Sequence, residues 1–206
     1  MSQPALPAAA VPTLLHRLTS VVDRLDFTAL FSRVQPVEVE LGSGDGSFLL
    51  AYAALHPERN FLGLERLLGR LRKLDRKGRR AGLTNLRGLR IEAAYAVEYL
   101  LPPGAVAALH IYFPDPWPKR RHWRRRLVNE RFPALAGRAL TPGGCVFLRT
   151  DNVEYFAQMQ AVFARSDVFR PVETPAELSA MTTDFERDFL AQGVPTNRAA
   201  YQRVAA

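Results

Sequence analysis

The sequence predicts an α/β protein built on a doubly wound, mostly parallel sheet with helices on both faces. Three observations predict it. Short apolar runs bounded by glycine or proline alternate five times with longer stretches of helical periodicity, a pattern that buries each strand between helices. The first strong run ends in a glycine-rich turn that opens a helix, Val37-Glu-Val-Glu-Leu-Gly-Ser-Gly-Asp-Gly46. No repeat, low-complexity block or linker rich in Gly, Ser or Pro divides the 206 residues, a length that suits one domain.

The runs Val37–Leu41, Asn60–Leu64, Leu86–Ile91, Val106–Phe113 and Cys145–Thr150 read as buried strands. Helical periodicity covers 46–55, 66–80, 124–140 and 152–165. Two weaker strands are expected at Val168–Val172 and Arg198–Val204. The helix at 66–80 is the clearest, with Leu67, Leu71 and Leu74 on one stripe. Arg66, Arg70, Lys73, Lys77 and Arg80 form a second, basic stripe outside the core. Residues 1–33 are expected to form an N-terminal segment, Pro/Ala-rich and mobile at its start and helical afterwards, with the main domain spanning 34–206.

Composition excludes several classes. With 48% hydrophobic and 23% charged residues the chain is neither a disordered tail nor a membrane protein. A single cysteine excludes a disulfide framework or a cysteine-built metal site, and no metal is expected. The longest uncharged stretch, Tyr99 to Pro114, is cut by prolines and too short to span a bilayer as a helix. The N-terminus carries no positive charge before its apolar residues, so it does not read as a signal peptide. A cytoplasmic setting is expected.

The charge is unevenly placed. The net +8 comes from 28 basic and 20 acidic side chains, but residues 66–90 hold ten cations against Asp75, and 118–131 hold seven against Glu130. A polyanionic partner rewards such concentration through counterion release, although a solvated helix face would also display it.

Glycines 42, 44 and 46 allow a tight turn and close approach of a ligand to the main chain. The pattern is G-x-G-x-G, and Ser47 stands where a dinucleotide fingerprint needs its third glycine. The turn therefore suits a cofactor without a diphosphate. Glu40, just before it, would repel a diphosphate but favour the ammonium and sulfonium of S-adenosylmethionine. Glu65 ends the second strand, placed for ribose hydroxyls, and Glu92 follows the third, placed for an adenine amino group. Each acid alone reads as a surface carboxylate; three at successive strand ends beside a glycine turn favour S-adenosylmethionine.

The stretch His110-Ile-Tyr-Phe-Pro-Asp-Pro-Trp-Pro-Lys-Arg-Arg-His-Trp-Arg-Arg-Arg-Leu127 runs from a strand into a proline-stiffened loop and then a dense cationic run. Its prolines should fix Asp115 and Trp117 at the lip of the sheet beside the glycine turn. Lys119 and the following arginines are placed to grip phosphates. His110 reads as structural. No histidine pairs with an acid at a catalytic spacing.

These motifs carry a resemblance. Over roughly residues 35–204 the chain resembles the bacterial tRNA (guanine-N7-)-methyltransferases, the TrmB family. The stretch 113–127 is similar to that family's diagnostic motif; Gly63-Leu-Glu65, Asn85-Leu-Arg87 leading to Glu92-Ala93, Thr150-Asp151-Asn152, Thr183-Asp-Phe-Glu186 and Gly193-Val-Pro195 follow in the family's order. The resemblance implies a class I, Rossmann-like methyltransferase domain with S-adenosylmethionine as cofactor. It implies cofactor contacts from Glu40, Gly42, Gly44, Gly46, Glu65, Glu92, Ala93 and Asp115, with Asp115 also the catalytic-site residue. Lys119, Asp151, Thr183, Asp184, Phe185 and Glu186 would hold the guanosine. The tRNA backbone is expected on Arg70, Lys73, Lys77, Arg80, Arg120, Arg121, Arg124, Arg125 and Arg126, in a monomer or homodimer. Three positions depart from the family pattern: Glu92 replaces an aspartate, Trp123 a polar residue, and Asp188 a basic one. Rival readings are a class I methyltransferase acting on another RNA or a small molecule, and a non-catalytic RNA-binding protein with a decayed fold.

Overall fold

The computed structural model describes residues 12–204; the expected mobile start lies, for residues 1–11, outside the described residues. Its strands are β1 (Leu15–His16), β2 (Val37–Leu41), β3 (Asn60–Glu65), β4 (Leu86–Arg90), β5 (Val106–Tyr112), β6 (Leu140–Thr150), β7 (Phe169–Val172) and β8 (Asn197–Arg203). They form one sheet in the order β1-β4-β3-β2-β5-β6-β8-β7, with β8 antiparallel to both neighbours and the other recorded pairings parallel. The helices are α1 (Phe27–Leu30), α2 (Ser47–Leu55), α3 (Leu68–Arg80), α4 (Ala93–Tyr95, running into a π-helical turn Ala96–Leu100), α5 (Phe132–Ala139), α6 (Val153–Ala164), α7 (Ala176–Ala180) and α8 (Asp184–Ala191).

Strand alternation divides the core in two. Val37, Val39, Leu41, Leu62 and Leu64 pack with residues of the π-turn, α5 and α6 on one face. Phe61, Ala108 and Tyr112 pack with residues of α2 and α3 on the other. Period-two alternation sends Glu38 and Glu40 to this second face, where both are buried. Glu38 is satisfied there, 2.7 Å from His110 Nε2 and 2.8 Å from the Arg59 guanidinium. Burial would push its pKa up, but these two partners hold it below the ordinary carboxylate value. His110 is thus structural, its Nδ1 resting 2.8 Å from the Tyr112 hydroxyl.

Three expectations are corrected. The helix expected over 124–140 is a single 3₁₀ stretch, Arg120–Arg125, followed by irregular chain and then α5. Arg126 turns inward and breaks the periodicity, and Pro133, in the first turn of α5, favours a fresh helix start there. Among its described residues, 12–33, the N-terminal segment is helical only over one turn, α1; β1 instead adds a strand to the sheet edge, and Leu14, Leu25, Leu30 and Phe31 enter the core. On α3 the apolar stripe begins at Leu71, since Leu67 is 48% exposed and caps the helix.

Asn85 closes the turn before β4: its amide nitrogen lies 3.0 Å from each of the Ala53, His56 and Arg59 carbonyls. Asn85→Ala strands those buried acceptors, and urea denaturation should show a loss of about 2 kcal/mol.

Candidate active site

The sheet reverses direction of growth between β2 and β5, because the chain winds outward through β3 and β4 and then returns to add β5 beside β2. Open α/β sheets bind ligands at such a point, outside the carboxyl ends of the strands. Here it holds a cleft of about 420 Å³, lined by the glycine turn after β2, the ends of β3 and β4 and the Phe-Pro-Asp-Pro-Trp loop after β5.

The glycine turn has the backbone its sequence calls for. Gly42, Gly44 and Gly46 have φ of 90°, 57° and 82°, a region that penalises any side chain. A Cβ on Gly42 or Gly44 would meet open space, and Gly42 presents bare main chain to the cleft. Glu65 ties the turn to β3, accepting from Gly44 N–H at 3.1 Å and Leu67 N–H at 2.7 Å.

Of the expected cofactor residues, Gly42, Glu65, Glu92, Ala93 and Asp115 line the cleft. Glu92 also caps α4, accepting from Ala94 and Tyr95 N–H. Glu40, Gly44 and Gly46 are buried and are not part of the lining. Glu40 is nevertheless the most informative residue of the set. It is buried, its Oε2 has no hydrogen-bond partner, and burial pushes its pKa up to about 8. Arg149 opposes that rise, while Glu65 and Asp45 add to it. A buried carboxyl without a donor fits a missing cation. Bare backbone at Gly42, the cleft-lining Glu65 and the unpartnered Glu40 together fit S-adenosylmethionine, whose ammonium and sulfonium would complete the charge balance.

The loop after β5 is held under strain. Phe113 and Trp117 are non-glycine residues with φ of 51° and 44°, a conformation that costs energy and persists only where surrounding contacts fix it. Trp117 lies edge-on to His122 and beneath the Arg125 guanidinium, which is 5.1 Å from its ring centre. Asp115 is exposed at the lip, and no hydrogen bond to its carboxylate is formed among the described residues.

The expected RNA and guanosine residues divide. Lys73, Arg80, Arg120, Arg121 and Arg124 are exposed as expected. Arg70 and Arg125 line the cleft itself, and Lys77 is paired with Asp45 at 2.6 Å. Arg126 is corrected: it is 1% exposed, bonded to Pro116 O and Gln158, and has no free face toward solvent. Lys119 and Asp151 lie outside the cleft lining. Thr183 and Glu186 form a capping box at the start of α8, and buried Glu186 is further paired with Arg149 and Arg198. Neither is a free partner for a base; they shape the helix end that displays Asp184 and half-exposed Phe185. Arg187 folds back on Thr182 and Asp184 beside exposed Asp188.

Sequence reasoning missed Tyr112 and Phe113 in the cleft wall and Arg149 behind it. The aromatic pair at the end of β5 was the available signal, since a strand residue followed by proline is pushed toward extended chain and ends the ladder.

Sheet order, glycine turn and cleft define a class I methyltransferase. A family model described as "Putative methyltransferase" matches residues 34–199. Proteins named tRNA (guanine-N(7)-)-methyltransferase are similar over most of the chain. That of Leifsonia xyli is 41% identical, over 79% of this chain and 74% of its own. The one from Sodalis glossinidius is 38% identical, covering 79% and 70%, and the one from Myxococcus xanthus 34%, covering 84% and 86%. Solved structures share the fold: the 16S rRNA methyltransferase KamB at TM-score 0.59 and 20% identity, over 87% of this chain and 93% of its own, and TrmN from Thermus thermophilus at 0.58 and 18%, over 83% and 45%. The chain belongs to the tRNA (guanine-N7-)-methyltransferase family.

The Glu40 carboxyl holds a proton in the folded protein that the unfolded chain releases near pH 4.5. The unfolded state thus binds fewer protons between that pH and about 8, and Glu40 makes stability fall as pH rises across this window. Glu40→Gln should raise the melting temperature at pH 7.5 and flatten that decline, read by scanning fluorimetry. Binding of a cationic ligand beside Glu40 should release a proton near pH 7, seen as buffer-dependent heats in calorimetry.

Proposed function

We propose that this chain transfers a methyl group from S-adenosylmethionine to N7 of a guanine in the variable loop of tRNA, forming 7-methylguanosine, with residues 34–206 as the catalytic domain. The observation that carries this reading is the pairing of an unpartnered buried acid, Glu40, on the strand that leads into the glycine turn, with an exposed acid, Asp115, on the fixed loop that lines the cleft. Membership of the family supplies the substrate expectation. A monomer or homodimer acting in the cytoplasm fits this role, and no helix among the described residues is long and apolar enough to cross a membrane.

Bound S-adenosylmethionine supplies a methyl group on a positively charged sulfur, open to attack by a lone pair. Guanine N7 carries no proton, so the reaction asks no general base of the protein. The chain's task is alignment. Gly42 and Gly44 let the main chain approach the cofactor, Glu65 receives its ribose hydroxyls, Glu92 and Ala93 border its adenine, and ionised Glu40 balances the amino group. As charge moves onto the purine, the Asp115 carboxylate at the lip stabilises it. Phe185, with Asp184 beside it, and Trp117 offer rings and acceptors to an extruded base. Lys119 and Asp151 complete the guanosine site from the loop and from the end of β6.

The backbone of the tRNA lies over two basic surfaces. Arg70 from α3 and Arg125 from the loop line the same cleft, so the exposed Lys73 and Arg80 of α3, with Arg120, Arg121 and Arg124 beside Arg125 in the chain, can face one RNA. Lys77 contributes less, being neutralised by Asp45.

Two experiments test the reading. With an unmodified tRNA transcript and labelled S-adenosylmethionine, cleavage specific to 7-methylguanosine should map the product to the variable loop, and Asp115→Asn should slow transfer roughly 100-fold. Full activity in that variant would sink the electrostatic role. Replacing Lys73, Arg80, Arg120 and Arg124 together by alanine should reduce the slope of log affinity against log salt by about 3 while cofactor affinity is kept.

A further inference from the structure

The motif's arginines point in two directions. Arg124 and Arg125 are exposed, whereas Arg126 is, like Arg149, a fully buried arginine, 1% exposed. Its Nε donates to the Pro116 carbonyl at 2.6 Å and its Nη1 to Gln158 Oε1 at 2.6 Å. Its guanidinium is packed against two rings, 4.5 Å from the centre of Trp123 and 4.8 Å from that of Tyr155. The second of these partners is itself fixed: Tyr155 accepts from Val128 N–H at 2.9 Å, and Gln158 donates to Val128 O at 3.2 Å. Glu154, 3.7 Å from Nη2, offsets the charge. Arg126 thereby links helix α6 to the loop after β5.

The loop needs such an outside hold. Pro114, Pro116 and Pro118 have no N–H to brace it from within, and φ at Phe113 and Trp117 sits in an unfavourable region. The carbonyl that Arg126 holds belongs to the peptide between Pro116 and Trp117, immediately after Asp115.

We propose that Arg126 is a positioning residue for methyl transfer: it clamps the Pro116–Trp117 peptide to α6 and so fixes the Asp115 carboxylate and the Trp117 ring, and it does not contact RNA. The proposal rests on the role given above to Asp115. Lysine keeps the charge but lacks the planar fork that bonds Pro116 and Gln158 while stacking on two rings. A displacement of about 1 Å in such a loop is enough to cost roughly 100-fold in rate.

The chain has two tryptophans, Trp117 and Trp123, so Trp123→Phe leaves Trp117 as the sole emitter. In that background Arg126→Lys and, from the other end of the clamp, Gln158→Leu should shift Trp117 emission to the red. Both should lower kcat, Arg126→Lys by roughly 100-fold, with KM for tRNA and its salt dependence unchanged. Gln158→Leu serves if Arg126→Lys does not fold. Weaker tRNA binding with a shallower salt slope and unchanged kcat would overturn the proposal in favour of a phosphate contact. A lower melting temperature with emission and kcat unchanged would overturn it in favour of a merely structural arginine. If Asp115→Asn retains full activity, the electrostatic role falls separately; the clamp then stands or falls on the Trp117 emission alone.

Discussion

The structure depends on the pairing of β2 with β5, which sets Glu40 beside His110 and brings two loops that are far apart in sequence to the same end of the sheet. The glycine turn leaves β2 and the proline-stiffened loop leaves β5, so the strands between them supply only the remaining wall. Because parallel strands all point their carboxyl ends one way, each successive unit delivers its final residue to this rim. Gly42, Glu65, Glu92 and Asp115 meet for that reason alone. The same geometry sends Glu38 and Glu40 to one face, yet one acid is satisfied by His110 and Arg59 while the other, nearer the rim, is left wanting a cation.

Two internal arginines then turn a sheet with loops into a shaped cleft. Arg126 holds the loop after β5 against α6. Arg149, near the end of β6, lies over the Tyr112 ring and donates to the Leu178 and Met181 carbonyls and to Glu186, which fastens α7 and the start of α8 to the ends of β5 and β6. A guanidinium suits both tasks, since its several donors can bond carbonyls and a side-chain oxygen from different elements at once.

Much of this was legible in the residues. Strand–helix alternation and the glycine turn announced the sheet, and acids at strand ends announced the rim, because burial periodicity and turn chemistry are local properties. The weak strands near 168–172 and 198–204 are present as β7 and β8. What was not legible was the destination of individual cations. Arg124, Arg125 and Arg126 are indistinguishable as a run, and only the path of the chain after the 3₁₀ stretch turns the last of them inward. Thr183 and Glu186 show the same limit: the spacing that resembles a binding motif is also that of a capping box, and the fold uses it as one. The short helices after residue 175 escaped notice because too few turns exist there for a period to register.

The antiparallel strand β8 lies between β6 and β7 although it comes last in the chain. During synthesis, therefore, β7 emerges with no neighbour to bond, and the ladder edge of β6 stays open until some two dozen further residues have left the ribosome. Glu186 must likewise wait for Arg198 to arrive. The half of the sheet that bears the glycine turn can assemble early, but the start of α8 is fastened only when this final insertion is made, so an arrested chain would carry the turn without that anchored helix.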